Sequence, residues 1–342
     1  MPALFSQTDG MLREHTLELP PYRAPHWLPG GHAQTIYPAL MFWRRHLHWR
    51  REGWITPDLD AIAADWLDGR VGKPVVVLFH GLEGGSRSHY SASIIERVGR
   101  QGWFGVVPHF RTCGNVPNRL PRAYHAGDSA EIDWMLRRVK DMHPEAPVFA
   151  VGVSLGGNAL LKWLGEQGER ALAVLDAAAA VSVPMDLAAA GKVLDQGFNR
   201  QVYTREFLRT LRIKTLTGLK LNQNPFIDFE RVRRVKTLRE FDDLVTAPLH
   251  GFHGVDHYWR SASSKPLLAG IAVPTLVINA RNDPFIPEGS LPVPDEMPDA
   301  VRLLQPDEGG HAGFVSGHPP GRLSWLPDTL MRFFNYHYHL PR

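Results

Sequence analysis

The run Pro74–Phe79, PVVVLF, is β-branched and apolar at nearly every position, which fits a strand covered on both faces of a parallel sheet. Behind it two periods alternate. Ser88–Gln101 reads as a helix and FGVVPH as a strand; Asp128–Met142 reads as a helix with Ile132, Met135, Leu136 and Val139 on one face. PVFAVGVS is then a strand, Leu155–Gln167 a helix and AVLDAAAAVSVP another buried strand. Towards the C-terminus PTLVINA and VRLLQP are strands, and the last helix runs roughly from Leu326 to Tyr338. Such alternation predicts an α/β fold with a doubly wound, mostly parallel sheet. Ahead of it, HLHWRREGWITPD and AIAADWL predict an edge hairpin, and the Pro-, Trp- and His-rich PPYRAPHWLPGGHAQTIYPAL predicts an extended arm with turns that covers a domain face.

The rhythm breaks between about Asp186 and Lys265. This stretch is basic and helix-rich, with QVYTREFLRTLRIKTLTGL and FERVRRVKTLREFDDLV, so the 342 residues are expected to form one domain with a helical cap inserted at about 186–265. Phe198, Tyr203, Phe207 and Leu208 of the cap either line an acyl pocket or pack the cap onto the core. The longest apolar stretch, Ala171–Met185, is broken by Asp176 and Ser182 and is too short to span a bilayer. Met1–Thr16 shows no secretory pattern, and a soluble cytoplasmic chain is expected. The single cysteine, Cys113, cannot form an internal disulfide, which suits a reducing compartment. With 38 basic and 35 acidic side chains, the net charge of +3 gives no concentrated basic face for nucleic acid.

Chemistry concentrates in VGVSLGGN. Gly152, Ser154 and Gly156 form G-x-S-x-G between an expected strand and an expected helix, the setting of a nucleophile elbow. A serine hydroxyl is a weak nucleophile and needs a base, itself oriented by a carboxylate. In an elbow fold these follow in the order acid, then histidine. Asp283, in the Pro-bounded loop after TLVINA, and His311, in the glycine-rich loop after VRLLQP, meet that order. The backbone N–H groups of Leu155, after the nucleophile, and Leu82, in the loop LFHGLEGGS, are the expected oxyanion donors. His80 is expected to shape that loop rather than act as a base, and Cys113 to be a buried or loop thiol. Asp295, Asp299, Asp307, Glu308, Asp256, His257 and His318 fit less well by position. His337 and His339, two apart on a helix, share no face for a metal, and GLEGGS lacks the Lys-Ser/Thr of a phosphate loop, so neither metal nor cofactor is expected.

Several stretches together, among them HWLPGGHAQTIYP, HGLEGGSRSHY, GVVPHFRTCGN, RAYHAGD, VGVSLGGNALLKWLGE, REFDDLVTAPLHGF, NARNDPFIP and EGGHAGFV, resemble the YheT-like α/β-hydrolases. The resemblance covers almost the whole chain. It implies a Ser-Asp-His triad on Ser154, Asp283 and His311, and a small-molecule or lipid-like acyl ester as substrate. Its members include carboxylesterases, monoacylglycerol lipases, medium-chain phospholipases and ethyl-ester-forming acyltransferases, so acyl transfer to an alcohol stays open beside hydrolysis. A silent ligand-binding member of the fold would be expected to lack one of the three residues. Transient membrane contact through the basic cap is compatible with the pattern, and oligomeric state is left open.

Overall fold

The computed structural model describes residues 17–42, 47–116, 118–219 and 227–340. Among these, eight strands form one sheet. They are β1 (Arg50–Ile55), β2 (Ala61–Leu67), β3 (Val75–Phe79), β4 (Phe104–Pro108), β5 (Val148–Val153), β6 (Ala177–Val181), β7 (Thr275–Ile278) and β8 (Val301–Leu304), in spatial order β1-β2-β4-β3-β5-β6-β7-β8. The β1–β2 hairpin pairs antiparallel to β4; from β4 onward every neighbour is parallel. Every residue of β3, β5 and β6 is buried, as expected of strands sandwiched between helical layers.

Because side chains alternate across a strand, one apolar run feeds two cores. Val75, Val77 and Phe79 pack on one face, with residues of α3 (Ser129–Met142) and α4 (Leu155–Gln167). Val76 and Leu78 pack on the other, with α2 (His89–Gly99) and the final helix, Trp325–His339. The helix α3 starts where Asp128 caps it, accepting from the Glu131 N–H.

The N-terminal arm departs from the expected extended path. Gly31–Met41 is a helix, α1, with Pro38 inside it. The Gly30–Gly31 pair at its start, an internal proline and the lack of an apolar stripe hide it from any periodicity argument. What holds it is tertiary: Gln34 and Thr35 are buried and bond to loops more than two hundred residues away.

Between β6 and β7 every described element is helical. The longer ones are α5 (Leu187–Leu194), α6 (Arg205–Lys214) and α7 (Val255–Ala262). Asp186, Asp228 and Thr237 supply side-chain caps to the helices that follow them. Tyr203, Leu208, Val232, Phe241 and Val245 form an apolar cluster that also takes in Phe285, Ile286 and Leu291 from beyond β7. This region therefore shares a core with the sheet layer rather than standing apart from it. Among the described residues no helix is long and apolar enough to cross a membrane.

Candidate active site

Four loops leave the carboxyl ends of parallel strands and converge, the position at which open α/β sheets bind ligands. The loop after β5 is the tightest. Ser154 adopts φ 55°, ψ −122°, a strained left-handed conformation for a residue with a side chain, and α4 begins at the next residue. The flanking glycines are steric requirements. A Cβ at Gly152 would come within 2.5 Å of the Gly157 Cα, and one at Gly156 within 2.5 Å of the His80 carbonyl oxygen.

Asp283 follows β7 and His311 follows β8, and the structure brings both to Ser154. His311 Nε2 lies 2.9 Å from Ser154 Oγ, and Nδ1 lies 2.8 Å from Asp283 Oδ2. The other carboxylate oxygen, Oδ1, accepts the Phe285 N–H at 2.8 Å. The Phe285 ring stacks on the imidazole with centroids 4.1 Å apart. With both carboxylate oxygens engaged and one imidazole face covered, His311 has one nitrogen left to serve the serine.

Leu82 and Leu155 line the same cavity as Ser154 and His311. The N–H groups on either side of Leu82 are taken: Gly81 donates to the Tyr90 hydroxyl and Glu83 to the Tyr124 hydroxyl, both at 2.9 Å. Leu155 N–H belongs to the first turn of α4, where no intrahelical acceptor exists. Neither Leu82 nor Leu155 N–H has a protein acceptor among the described residues, so both remain available to a ligand oxygen. His80 is fully buried beneath this loop. Its Nδ1–H donates to the Gly81 carbonyl and its Nε2 accepts the Phe110 N–H. Burial, with His109 nearby, lowers its pKa to about 3, so it stays neutral as a scaffold.

The cavity gives the centre of a water molecule about 140 Å3 to move in, and its surface is mostly apolar, with Leu187, Leu194, Phe207 and Leu249 among its walls. Of the four cap residues considered for this role, only Phe207 lines it. Tyr203 and Leu208 pack inside the apolar cluster, and Phe198 is about half exposed. Cys113 is a buried thiol whose pKa burial pushes up to about 11 against the pull of Lys214 Nζ, 3.4 Å away, so it stays protonated. The rival acids stand elsewhere: Asp256 pairs with Arg239 at the surface and Asp307 is exposed.

Three supporting residues escaped the sequence reading. Gln34 Oε1 accepts from the Gly309 N–H (2.9 Å) and from Asn282 Nδ2 (3.0 Å), and Asn282 Oδ1 accepts from the Gly310 N–H at 3.0 Å. Thr35 Oγ1 accepts the N–H of His311 itself at 2.9 Å. Helix α1 thereby joins the acid loop to the histidine loop. The only trace in the sequence is polar residues inside an otherwise apolar, aromatic segment.

A strand–elbow–helix with an acid and a histidine after the last two strands is the arrangement on which α/β-hydrolases are built. The family model described as alpha/beta hydrolase fold matches residues 74–317, and the chain belongs to that family. It is 38% identical over 314 residues to YheT of Escherichia coli (strain K12), named as a candidate esterase, covering 88% of this chain and 90% of that one. It is 27% identical over 319 residues to the phospholipase ABHD3 of Homo sapiens, covering 90% and 76% respectively. Among solved structures, the Pyrococcus furiosus esterase Pf2001 superposes with a TM-score of 0.54 at 16% identity, covering 92% of this chain and 97% of that one, a likeness of fold.

Proposed function

We propose that this protein is a serine ester hydrolase acting on acyl esters through an acyl-enzyme. The observation that carries the reading is the unbroken chain Ser154 Oγ, His311, Asp283 at 2.9 and 2.8 Å, opening on an apolar cavity. Relatives named as esterase and phospholipase support it.

In this mechanism the Ser154 hydroxyl attacks the ester carbonyl while His311 Nε2 takes its proton. Asp283 holds Nδ1–H, fixing the tautomer and stabilising the imidazolium that forms. The Leu82 and Leu155 N–H groups receive the developing oxyanion, and the positive end of α4 faces the same point. Collapse of the tetrahedral intermediate passes the His311 proton to the leaving alcohol. Water, deprotonated by His311, then cleaves the acyl-serine ester. The apolar walls suit a short to medium acyl chain, and the helical region between β6 and β7 acts as the lid over it.

The test is hydrolysis of p-nitrophenyl esters across a chain-length series by wild type and Ser154→Ala. The variant is expected to lose activity by about four to six orders of magnitude in kcat, as triads do when one member is removed. Ser154→Ala with wild-type turnover would refute the mechanism. Adding glycerol or ethanol to the same assay reads transfer to an alcohol as a new ester product.

A further inference from the structure

The loop that carries His311 is held by its backbone. Four successive N–H groups each donate to a side chain from another part of the chain: Gly309 to Gln34, Gly310 to Asn282, His311 to Thr35 and Ala312 to Ser182, at 2.9–3.0 Å. Gln34 and Thr35 belong to α1, and Asn282 to the loop of Asp283. Ser182 stands at the end of β6 and takes no part in the acyl transfer itself.

Residues 181 and 182 join the three segments that carry Ser154, Asp283 and His311. The Val181 carbonyl accepts the Ser154 N–H at 2.9 Å, the Ser182 N–H donates to the Ile278 carbonyl of β7 at 2.7 Å, and Ser182 Oγ accepts the Ala312 N–H at 2.9 Å. Ser182 is completely buried and does not line the Ser154 cavity. Its φ of 51° lies in the left-handed region, where a residue with a side chain is strained and glycine is not. Glycine would meet the backbone demands of this turn. What it would lack is the oxygen that the Ala312 N–H uses. Ala312 and Phe314 are left-handed too, at φ 54° and 44°. A loop strained in this way keeps its shape only while its surroundings hold it.

We propose that Ser182 is a positioning residue for the catalytic base: its hydroxyl, by accepting the Ala312 N–H, fixes the histidine loop to the strand end that also anchors Ser154, and so keeps His311 Nε2 aligned with Ser154 Oγ. This rests on the ester-hydrolase reading of the same site. The Ala312 N–H has no other protein acceptor among the described residues. Without the Ser182 hydroxyl the loop relaxes, and His311, one residue away, moves with it. The loss falls on proton transfer in both directions. Attack on the ester needs His311 to take the Ser154 proton, and departure of a poor leaving group needs His311 to give that proton up.

The test compares wild type, Ser182→Ala and Ser182→Gly on p-nitrophenyl octanoate and ethyl octanoate, with urea unfolding of each protein alongside. p-Nitrophenolate leaves without protonation, whereas ethoxide needs the His311 proton, so the ethyl ester is the more sensitive to where His311 stands. Both variants are expected to lower kcat/KM for the p-nitrophenyl ester by about 10- to 100-fold, mainly in kcat, the range for a displacement of about 1 Å at a catalytic group. The kcat/KM ratio of ethyl to p-nitrophenyl ester should fall by roughly a further 10-fold, as part of the general-acid contribution is lost. Each ratio is internal to one preparation, so partial misfolding of a variant cancels. The two variants should differ in stability, because alanine keeps the strain at φ 51° and glycine relieves it. Equal kinetic losses at unequal urea midpoints are therefore the expected signature. Kinetic losses that track the midpoints, an unchanged ester ratio, or Ser182→Gly with wild-type kcat would overturn the proposal. If wild type cleaves p-nitrophenyl octanoate in a Ser154-dependent way and the Ser182 variants match it, the positioning role alone has failed. If neither ester is cleaved in a Ser154-dependent way, both readings fail together.

Discussion

Replacing Gln34 with leucine isolates the role of the N-terminal helix. The side chain is completely buried, 0% exposed, and does not line the cavity. It donates to the Leu28 carbonyl at 2.9 Å and to Glu308 at 3.2 Å, and accepts from Asn282 Nδ2 and the Gly309 N–H. Gln34→Leu keeps most of the volume and leaves the Leu28 carbonyl, the Asn282 amide and the Gly309 N–H without partners. Each buried polar group left unpaired costs about 1–3 kcal/mol. Local relaxation makes the three less than additive, so a total near 3–5 kcal/mol is expected. Asn282 adjoins Asp283 and Gly309 lies two residues before His311. A shift of about 1 Å at a catalytic group costs about 100-fold in rate. The expected result on a p-nitrophenyl ester is therefore kcat lower by about 10- to 100-fold, with KM within about threefold. Gln34→Glu keeps an acceptor oxygen but sets a buried carboxylate against the Leu28 carbonyl and Glu308, and should cost at least as much as Gln34→Leu. Urea unfolding of the same proteins separates lost stability from lost alignment. A Gln34→Leu protein with a lower urea midpoint and unchanged kcat would make the brace purely structural; one unchanged in both would refute the reasoning.

Two further predictions use the cap. Lys214 Nζ reaches Glu83 Oε1 at 2.9 Å, tying α6 to the residue after Leu82. Lys214→Met should lower kcat about 10-fold by loosening the Leu82 N–H, and Lys214→Arg should restore most of it; equal kcat in all three proteins would remove the cap from oxyanion positioning. Burial raises the Asp242 pKa from 3.8 to about 6, with the neighbouring Asp195 adding to the effect and the bonds from Thr246 and Trp259 opposing it. A carboxyl raised on folding adds stability below its unfolded pKa and loses it as pH rises through about 6. Asp242→Asn should therefore gain on wild type between pH 4 and pH 8, by on the order of 2–3 kcal/mol in urea unfolding. A difference that does not change with pH would contradict an ionised, buried Asp242.

The sheet was legible because its strands are decided locally. VVVLF and AAAAV are apolar on both faces, and only a doubly covered strand needs that pattern. The amphipathic helices α3 and α4 follow from a period of 3.6 and begin within a residue of the expected positions. Helix α1 was not legible for the opposite reason. Its sequence, GHAQTIYPALM, opens on glycine and carries a proline at its eighth position with no amphipathic stripe, and contacts with the loops around Asn282 and Gly309 outweigh those local signals.

The same division runs through the candidate site. Ser154, Asp283 and His311 each stand at a strand's carboxyl end, and once the strands are read their loops have little choice of where to go. The three side chains picked out in this way lie within hydrogen-bonding reach of one another. Thr35 bonds the His311 N–H across 276 positions of sequence, a distance at which no spacing rule operates. Asp242 and Asp243 make the point most sharply. They are neighbours of the same residue type in one helical turn, and nothing local distinguishes them. One lines the cavity and accepts the Trp259 indole N–H; the other accepts the Val255 N–H at the start of α7. Which of the two lines the cavity depends on how the turn is rotated against α7. That rotation is set by packing between helices, and it becomes visible only once the cap is assembled.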